Sequence, residues 1–147
     1  MKRSKRAAQS EIVPVIRDLV RTYQTFVDID AKHLRQLGFT TAQFDVIATL
    51  GNTHGMGMRE LSTKTLITKG TLTGVVDRLE RDGLVERGEV QEDRRCYRVK
   101  LTAKGDAIFQ DVFPKHVNYI ATRLGELNAK ERTTIRTALQ RLRTALE

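Results

Sequence analysis

The sequence predicts a mainly helical protein with one small β-hairpin, and three observations support this fold class. Between Met58 and Asp82 lie two helical patterns, a short one and then a longer one with apolar residues at i, i+3, i+4 and i+7. A β-forming segment begins at Leu84, and a second one ends at Leu101 after a polar, basic stretch. Helical patterns flank this region on both sides. The order of elements is typical of a winged helix-turn-helix, a module that binds DNA.

The chain starts with a basic arm that leads into a long amphipathic pattern. The first ten residues are rich in Lys and Arg, and we expect them to be disordered without DNA. From Ser10 to about Leu37 the apolar residues recur near the helical period, which predicts a long helix. Pro14 falls in its first turn, where a missing N–H does least damage, and Gly38 ends it.

A second helix and a loop connect this long helix to the helix-turn-helix. Thr40 and Gln43 have the spacing of a capping box, which predicts a helix that ends at Leu50. The following segment, GNTHGMG, is predicted to be a loop because of its glycines. The first helix of the helix-turn-helix is predicted over MRELSTKTL, with Leu61 and Leu66 as its apolar residues.

The second helix of the pair is predicted over KGTLTGVVDRLERD, after a short Ile67-Thr68 turn. Thr68 is placed to cap this helix, and Gly83 is placed to end it in a left-handed conformation. One face is expected to pack inward through Leu72, Val75, Val76 and Leu79. Since residues near the start of such a helix reach base edges in a major groove, we expect DNA contacts from Thr68, Lys69, Gly70, Thr71 and Thr73. For Arg78, a phosphate contact, a base contact and an ion pair within the helix are the alternatives.

The hairpin is predicted to begin at Leu84 and to return over residues 96–101. Alternation in the return strand places Tyr97, Val99 and Leu101 on one face and Arg98 and Lys100 on the other. Between the strands the segment GEVQEDRR is predicted to form a polar tip. At this tip the carboxylate of Asp93 is two residues from Arg95, close enough to orient its guanidinium, and we expect Arg94 on a phosphate.

Two helices are predicted after the hairpin. Thr102 is placed to cap a helix from Ala103 to about Leu124, and Asn128 with Glu131 forms the capping box of a final helix. That helix carries an apolar stripe of Ile135, Leu139, Leu142 and Leu146. We expect a second copy of the chain to cover this stripe together with the long N-terminal helix at Ile12, Ile16 and Leu19, although packing within the chain is the alternative.

Three segments together resemble the MarR family of bacterial transcriptional regulators: TLTGVVDRLERDGLVER, then Asp93-Arg94-Arg95, then VKLTAKG. Gly74 departs from the resemblance, because many members carry Arg there. The resemblance implies that the terminal helices form a homodimer and that Arg95 enters the minor groove of A·T-rich DNA. It also implies a small aromatic or anionic effector in a crevice, for which we consider Tyr23, Phe26, His33, Ile47, Phe109 and Phe113.

Composition and charge narrow the possible functions. We treat the chain as one domain whose parts, residues 1–38, 39–101 and 102–147, carry net charges of +4, +1 and +3 within a total of +8. A basic protein favours an anionic partner such as double-stranded DNA. We expect neither a membrane span nor a signal peptide, and the single cysteine, Cys96, fits the reducing cytoplasm.

An enzymatic function is not expected. The three histidines lack metal-ligand spacing, and no phosphate loop, nucleophile elbow or paired catalytic carboxylates occur, so we expect no metal and no cofactor. The sequence therefore predicts a homodimeric, sequence-specific DNA-binding regulator, most simply a ligand-responsive repressor on a pseudo-palindromic operator. A nonspecific, nucleoid-type nucleic-acid binder and a winged helix that binds protein are the alternatives.

Overall fold

The computed structural model describes residues 3–90 and 93–147, with all of their side chains except those of Lys5 and residues 89–96. Its elements follow in the order α1 (Arg3–Ala8), α2 (Ile12–Gln36), α3 (Thr41–Leu50), β1 (Met56–Gly57), α4 (Met58–Lys64), α5 (Lys69–Arg81), β2 (Val85–Val90), β3 (Asp93–Leu101), α6 (Ala103–Arg123) and α7 (Ala129–Leu146). The chain forms two compact units, one up to Phe113 and the other from Pro114. In the part of the chain so described, no helix is both long enough and apolar enough to cross a membrane.

The predicted core of the helix-turn-helix is confirmed. Leu72, Val75, Val76 and Leu79 of α5 are all buried, and they pack with α3 residues and with Val99 of β3. The alternation of β3 is also confirmed near its end, because Val99 is fully buried while Arg98 and Lys100 are exposed. Tyr97 lies half-exposed, since the strand extends past the core there.

The sheet differs from the prediction in two ways. Its strand order is β1-β3-β2, and β1 lies within the segment that was predicted to be a loop. Two residues are too few to show a period-2 pattern, so this strand depends on its pairing with β3, where Met56 lies opposite Val99. The β2–β3 hairpin, called the wing below, is also longer than predicted, because pairing continues to Val90 and Asp93. Backbone ladder bonds sustain it where the side chains are polar.

Two helix predictions are corrected as well. Residues 3–8 form α1 and were predicted to be disordered; Arg, Lys and Ala are strong helix formers, and the segment has no glycine or proline. Helix α4 ends at Lys64 rather than Leu66, because Thr65 takes an extended conformation with its hydroxyl bonded to the Leu61 carbonyl. Leu66 is thus outside the helix and 96% exposed.

Both predicted capping boxes and two predicted helix-ending glycines are present in the structure. The capping boxes lie at Thr40 on α3 and at Asn128 on α7. Gly38 and Gly83 follow the ends of α2 and α5 as predicted, with φ values of 88° and 72°. The left-handed conformation predicted for Gly83 is thus confirmed, and Gly38 adopts it as well. After Gly83, the Leu84 N–H donates to the Leu79 carbonyl at 2.8 Å, which turns the chain directly into β2.

A joint between the end of α5 and the start of α6 fixes the helix-turn-helix. The Thr102 hydroxyl donates to the Gly83 carbonyl at 2.7 Å and accepts the Gly105 N–H at 3.0 Å, so one side chain caps α6 and ties it to the α5 turn. Lys104 Nζ adds a bond to the Asp82 carbonyl. A Cβ on Gly105 would lie 1.9 Å from the Leu84 carbonyl oxygen, so position 105 has no room for a side chain.

Replacing Gly105 with Ala should therefore destabilise the fold. The added methyl must push the Leu84 carbonyl away, and overpacking of this kind typically costs about 1–3 kcal/mol. Urea denaturation should show this loss for Gly105→Ala. The matched control, Gly88→Ala on β2, has no atom within 4 Å of the new Cβ and should stay within about 1 kcal/mol of the parent. Equal stabilities of the two variants would contradict the steric role of Gly105.

Candidate nucleic-acid interface

The exposed face of α5 carries the residues predicted to contact DNA. Thr68, Lys69, Gly70, Thr71, Thr73 and Arg78 are all exposed, while the opposite face of the helix is buried in the core. Because one side of α5 is buried in the core, the orientation of the helix is fixed, and the residues on its other side are exposed together. A helix held in this way has the dimensions to enter a major groove.

Thr68 begins α5 as predicted, but its side chain does not cap the backbone. Its hydroxyl pairs with the hydroxyl of Thr71 at a distance of 3.0 Å, and no side-chain cap bond forms at this helix start. The reason is local: Thr71 lies one turn further along the same side of α5, so the two hydroxyls meet. This pair holds two hydrogen-bonding groups together on the exposed face.

An ion-pair cluster that the sequence pattern did not reveal connects the wing to α5. Arg87 of β2 donates to Asp77 Oδ1 at 2.5 Å and also bonds Glu80 Oε2. The hydrogen bond with Asp77 and the nearby charges raise the pKa of the Arg87 guanidinium, so the cluster carries a fixed cation between two carboxylates. The three-residue spacing of the two acids, on one side of α5, is the signal that could have revealed the cluster.

The wing is less uniformly basic than its composition suggests. Lys100 lies opposite Glu86 in the sheet, and their side chains form an ion pair at 2.9 Å. Arg98 is exposed. Asp93, Arg94 and Arg95 belong to β3 by their backbone, but their side chains lie outside the described residues, as does that of Cys96. The orientation of Arg95 by Asp93 therefore stays a prediction.

A cavity of about 370 Å³ lies between α2, α3 and the turn that precedes α5. Its walls are mostly apolar and include two carboxylates; the lining residues are Phe26, Asp30, Thr41, Ala42, Phe44, Asp45, Ala48, Leu66 and Ile67. Of the six residues considered for an effector crevice, Phe26 is in this lining. Ile47 and Phe109 are buried in the core, and Phe113 stacks on Phe44 with ring centroids 6.2 Å apart.

The other two residues considered for the crevice lie on α2 away from this lining. Tyr23 is 66% exposed, and His33 is partly buried. Periodicity identified them as aromatic or polar positions on a helix, but it could not indicate which of them border a cavity. The cavity residues that were missed come from α3 and from the turn at Leu66, whose position depends on the end of α4.

Asp45 connects the cavity to the start of α5. Its Oδ2 accepts the backbone N–H of Leu66 at 2.7 Å, two residues before Thr68. Burial raises the pKa of the Asp45 carboxyl, and the nearby charge of Asp30 adds to this effect, whereas the Leu66 N–H opposes it. The turn before α5 is thus held by a carboxylate whose environment disfavours its negative charge.

Apolar residues predicted for dimerisation are largely uncovered in the single chain. Ile12 and Ile16 on α2 are each about half exposed, and α7 has no buried residue. Along α7 the side chains of Ile135, Leu139 and Leu146 are exposed, whereas Leu142, like Leu19 of α2, is partly buried.

Among the residues that the structure describes, no group of three His, Cys, Asp or Glu side chains is placed to hold a metal ion.

The sequence matches known proteins along most of its length. The model of the MarR family matches residues 37–95. The HTH-type transcriptional regulator MhqR of Bacillus subtilis is 30% identical over 77% of this chain and 78% of its own length. PecS of Dickeya dadantii, also an HTH-type transcriptional regulator, is 31% identical over 68% of this chain and 62% of its own length.

Solved structures agree with this match. BpsR of Bordetella bronchiseptica, whose DNA binding is regulated by 6-hydroxynicotinic acid, superposes with a TM-score of 0.76 and 29% identity over 88% of this chain and 98% of its own. A MarR variant from Escherichia coli, solved in complex with operator DNA, superposes with a TM-score of 0.78 and 29% sequence identity. The match covers 90% of this chain and 95% of the MarR chain.

Removing the Arg87 guanidinium should weaken DNA binding by exposing two acids. In Arg87→Gln, Asp77 and Glu80 lose their cation and add negative potential to the face of α5. A fluorescence-anisotropy titration with duplex DNA should show a severalfold loss of affinity. The triple variant Arg87→Gln, Asp77→Asn, Glu80→Gln should recover most of it. If the triple variant binds as poorly as Arg87→Gln alone, Arg87 acts on DNA or on the fold in another way.

Proposed function

This chain belongs to the MarR family, and we propose that it is a sequence-specific DNA-binding regulator of transcription that acts as a homodimer and responds to a small molecule. The observation that carries the proposal is the exposed face of α5. There Lys69 and three threonines surround the helix start, on a helix whose other face is locked in the core. Hydroxyl and ammonium groups at such positions provide donors and acceptors for base edges and phosphates.

A homodimer is the assembly that the exposed apolar residues favour. Ile12 and Ile16 of α2 and Leu139 of α7 lie half-exposed in the single chain. Covering them with the same residues of a second copy would remove apolar surface from water and present two α5 helices related by a two-fold axis. Such a pair fits a pseudo-palindromic site whose half-sites are roughly 34 Å apart. We infer a repressor, since a dimer across an operator blocks access to it.

The wing completes the interface in this proposal. Asp93 and Arg95 remain the residues predicted to reach a narrow minor groove, and Arg94 a phosphate. Arg98 is exposed on the same hairpin and would add to the positive potential there. Such a protein acts where the chromosome is, so we place it in the cytoplasm and assign it no catalytic role.

The cavity supports the aromatic effector that the resemblance implies, but not the anionic one. Asp30 and Asp45 supply two carboxylates to an otherwise mostly apolar lining, and none of the described lining residues is Lys, Arg or His. An anionic ligand would meet repulsion there, whereas an aromatic group with a positive charge or several N–H donors would find acceptors and apolar walls. The Asp45 bond to the Leu66 N–H offers a route from an occupied cavity to the start of α5.

Sequence-specific binding by a dimer is tested by gel shift against the DNA upstream of the protein's own gene. The parent should bind this duplex more tightly than a scrambled duplex at every salt concentration, because base contacts add to the salt-dependent phosphate term. Leu139→Glu with Leu142→Glu should give monomers by light scattering and lose specific binding, because both half-sites must be engaged together. Equal affinity for both duplexes would indicate a nonspecific binder. If the protein bound neither duplex, this would indicate a protein-interaction module.

The effector class is tested with two probes of one shape and opposite charge. Benzamidinium should raise the melting temperature of the parent by binding the folded state, and benzoate should not. Asp45→Asn should reduce the benzamidinium effect, whereas Asp28→Asn, which removes an exposed carboxylate of α2 outside the lining, should retain it. Stabilisation by benzoate instead would show that the carboxylates do not select the ligand.

A further inference from the structure

Arg78 reaches back along α5 across a gap left by Gly74. Thr71, Gly74 and Arg78 follow one another at helical spacing on the exposed side, and helical side chains lean toward the helix N-terminus. Accordingly, Nη2 of Arg78 lies 3.9 Å from the point where a Cβ on Gly74 would be. The guanidinium is thus displaced from its own turn toward the end of α5 that would enter a groove.

The neighbouring acids leave this guanidinium available for a ligand. Asp77 and Glu80, the carboxylates nearest to Arg78 in sequence, are both bonded to Arg87 of the wing. No ion pair found among the described residues includes Arg78, and its side chain is exposed. The wing therefore neutralises the two acids of α5 while Arg78 keeps its charge on the surface.

From this geometry we propose that Arg78 reads a guanine in the major groove through the gap at Gly74, an inference that rests on the proposed function. Without a side chain at position 74, the Arg78 guanidinium has room to lie along the α5 backbone and to reach toward the base edges. Its parallel N–H donors match the O6 and N7 acceptors of guanine. Phosphates line the groove edges, so a residue that leans over the central face of the helix is better placed for a base.

The test is selection of binding sites from a pool of random-sequence duplexes. The parent should enrich a motif with a conserved G·C pair in each half-site, and Arg78→Ala should lose the preference at that pair alone. On the parent's motif the variant should bind roughly 5- to 150-fold more weakly, the range for one bidentate base contact. Arg78→Lys keeps the charge but not the paired donors, so it should also lose most of the preference. Arg81→Ala is the matched control: it removes an exposed Arg from the same helix and should leave the motif unchanged.

A double-mutant cycle tests whether the gap at Gly74 acts through the Arg78 guanidinium. Gly74→Leu keeps Arg78 but fills the gap, so it should weaken binding to the G·C motif in the parent and add little in Arg78→Ala. Circular dichroism and thermal melting establish that each variant is folded. Fully additive losses would show that the side chain added at position 74 hinders DNA by itself, and this outcome would overturn the role of the gap.

Failure of this proposal and failure of the proposed function give different results. If the parent enriches no motif, sequence-specific regulation is wrong, and with it the role of Arg78. If the parent enriches a motif and Arg78→Ala weakens binding equally on all sequences, as expected for Arg81→Ala, then Arg78 contacts a phosphate. In that case the proposed function stands and base reading by Arg78 is wrong.

Discussion

The joint between the end of α5 and the start of α6 is the constraint on which the helix-turn-helix depends. Gly83 reverses the chain in a left-handed conformation, and Thr102 bonds its carbonyl while capping α6. Gly105 lets the α6 backbone lie against the Leu84 carbonyl. Since β2 and β3 begin and end at this joint, the direction of α5 determines the direction of the wing. The two elements proposed to contact DNA are thereby held in one arrangement by a few local contacts.

Charge is distributed so that a nearly neutral module can still bind an anionic partner. Residues 39–101 carry only +1 net charge, which by itself argues weakly for DNA. Several of their acidic side chains, however, are neutralised by ion pairs within the module. Arg87 pairs with Asp77 and Glu80, and Lys100 pairs with Glu86. Other cations of this module, such as Lys69 and Arg98, remain exposed. Local pairing therefore matters more than the sum of charges for the potential that DNA would meet.

Local signals in the sequence predicted much of this architecture. The capping boxes at Thr40 and Asn128, the left-handed Gly83 and the buried face of α5 follow from neighbouring residues, and all were confirmed. Features that depend on distant pairing could not be predicted in this way. Strand β1 exists only through its bonds to β3, and the lining of the cavity depends on where α4 ends. The bond from Asp45 to Leu66 spans 21 residues, and no periodicity indicates it.

The central claim is that two copies of α5 enter successive major grooves of one operator. Hydroxyl-radical footprinting of the protein on its own upstream DNA tests it most directly, because the method reports the protected backbone position by position. We expect two protected patches, symmetric about a centre and roughly one helical turn apart, with weaker protection outside them where the wings lie. A single patch, or uniform protection along the duplex, would contradict it.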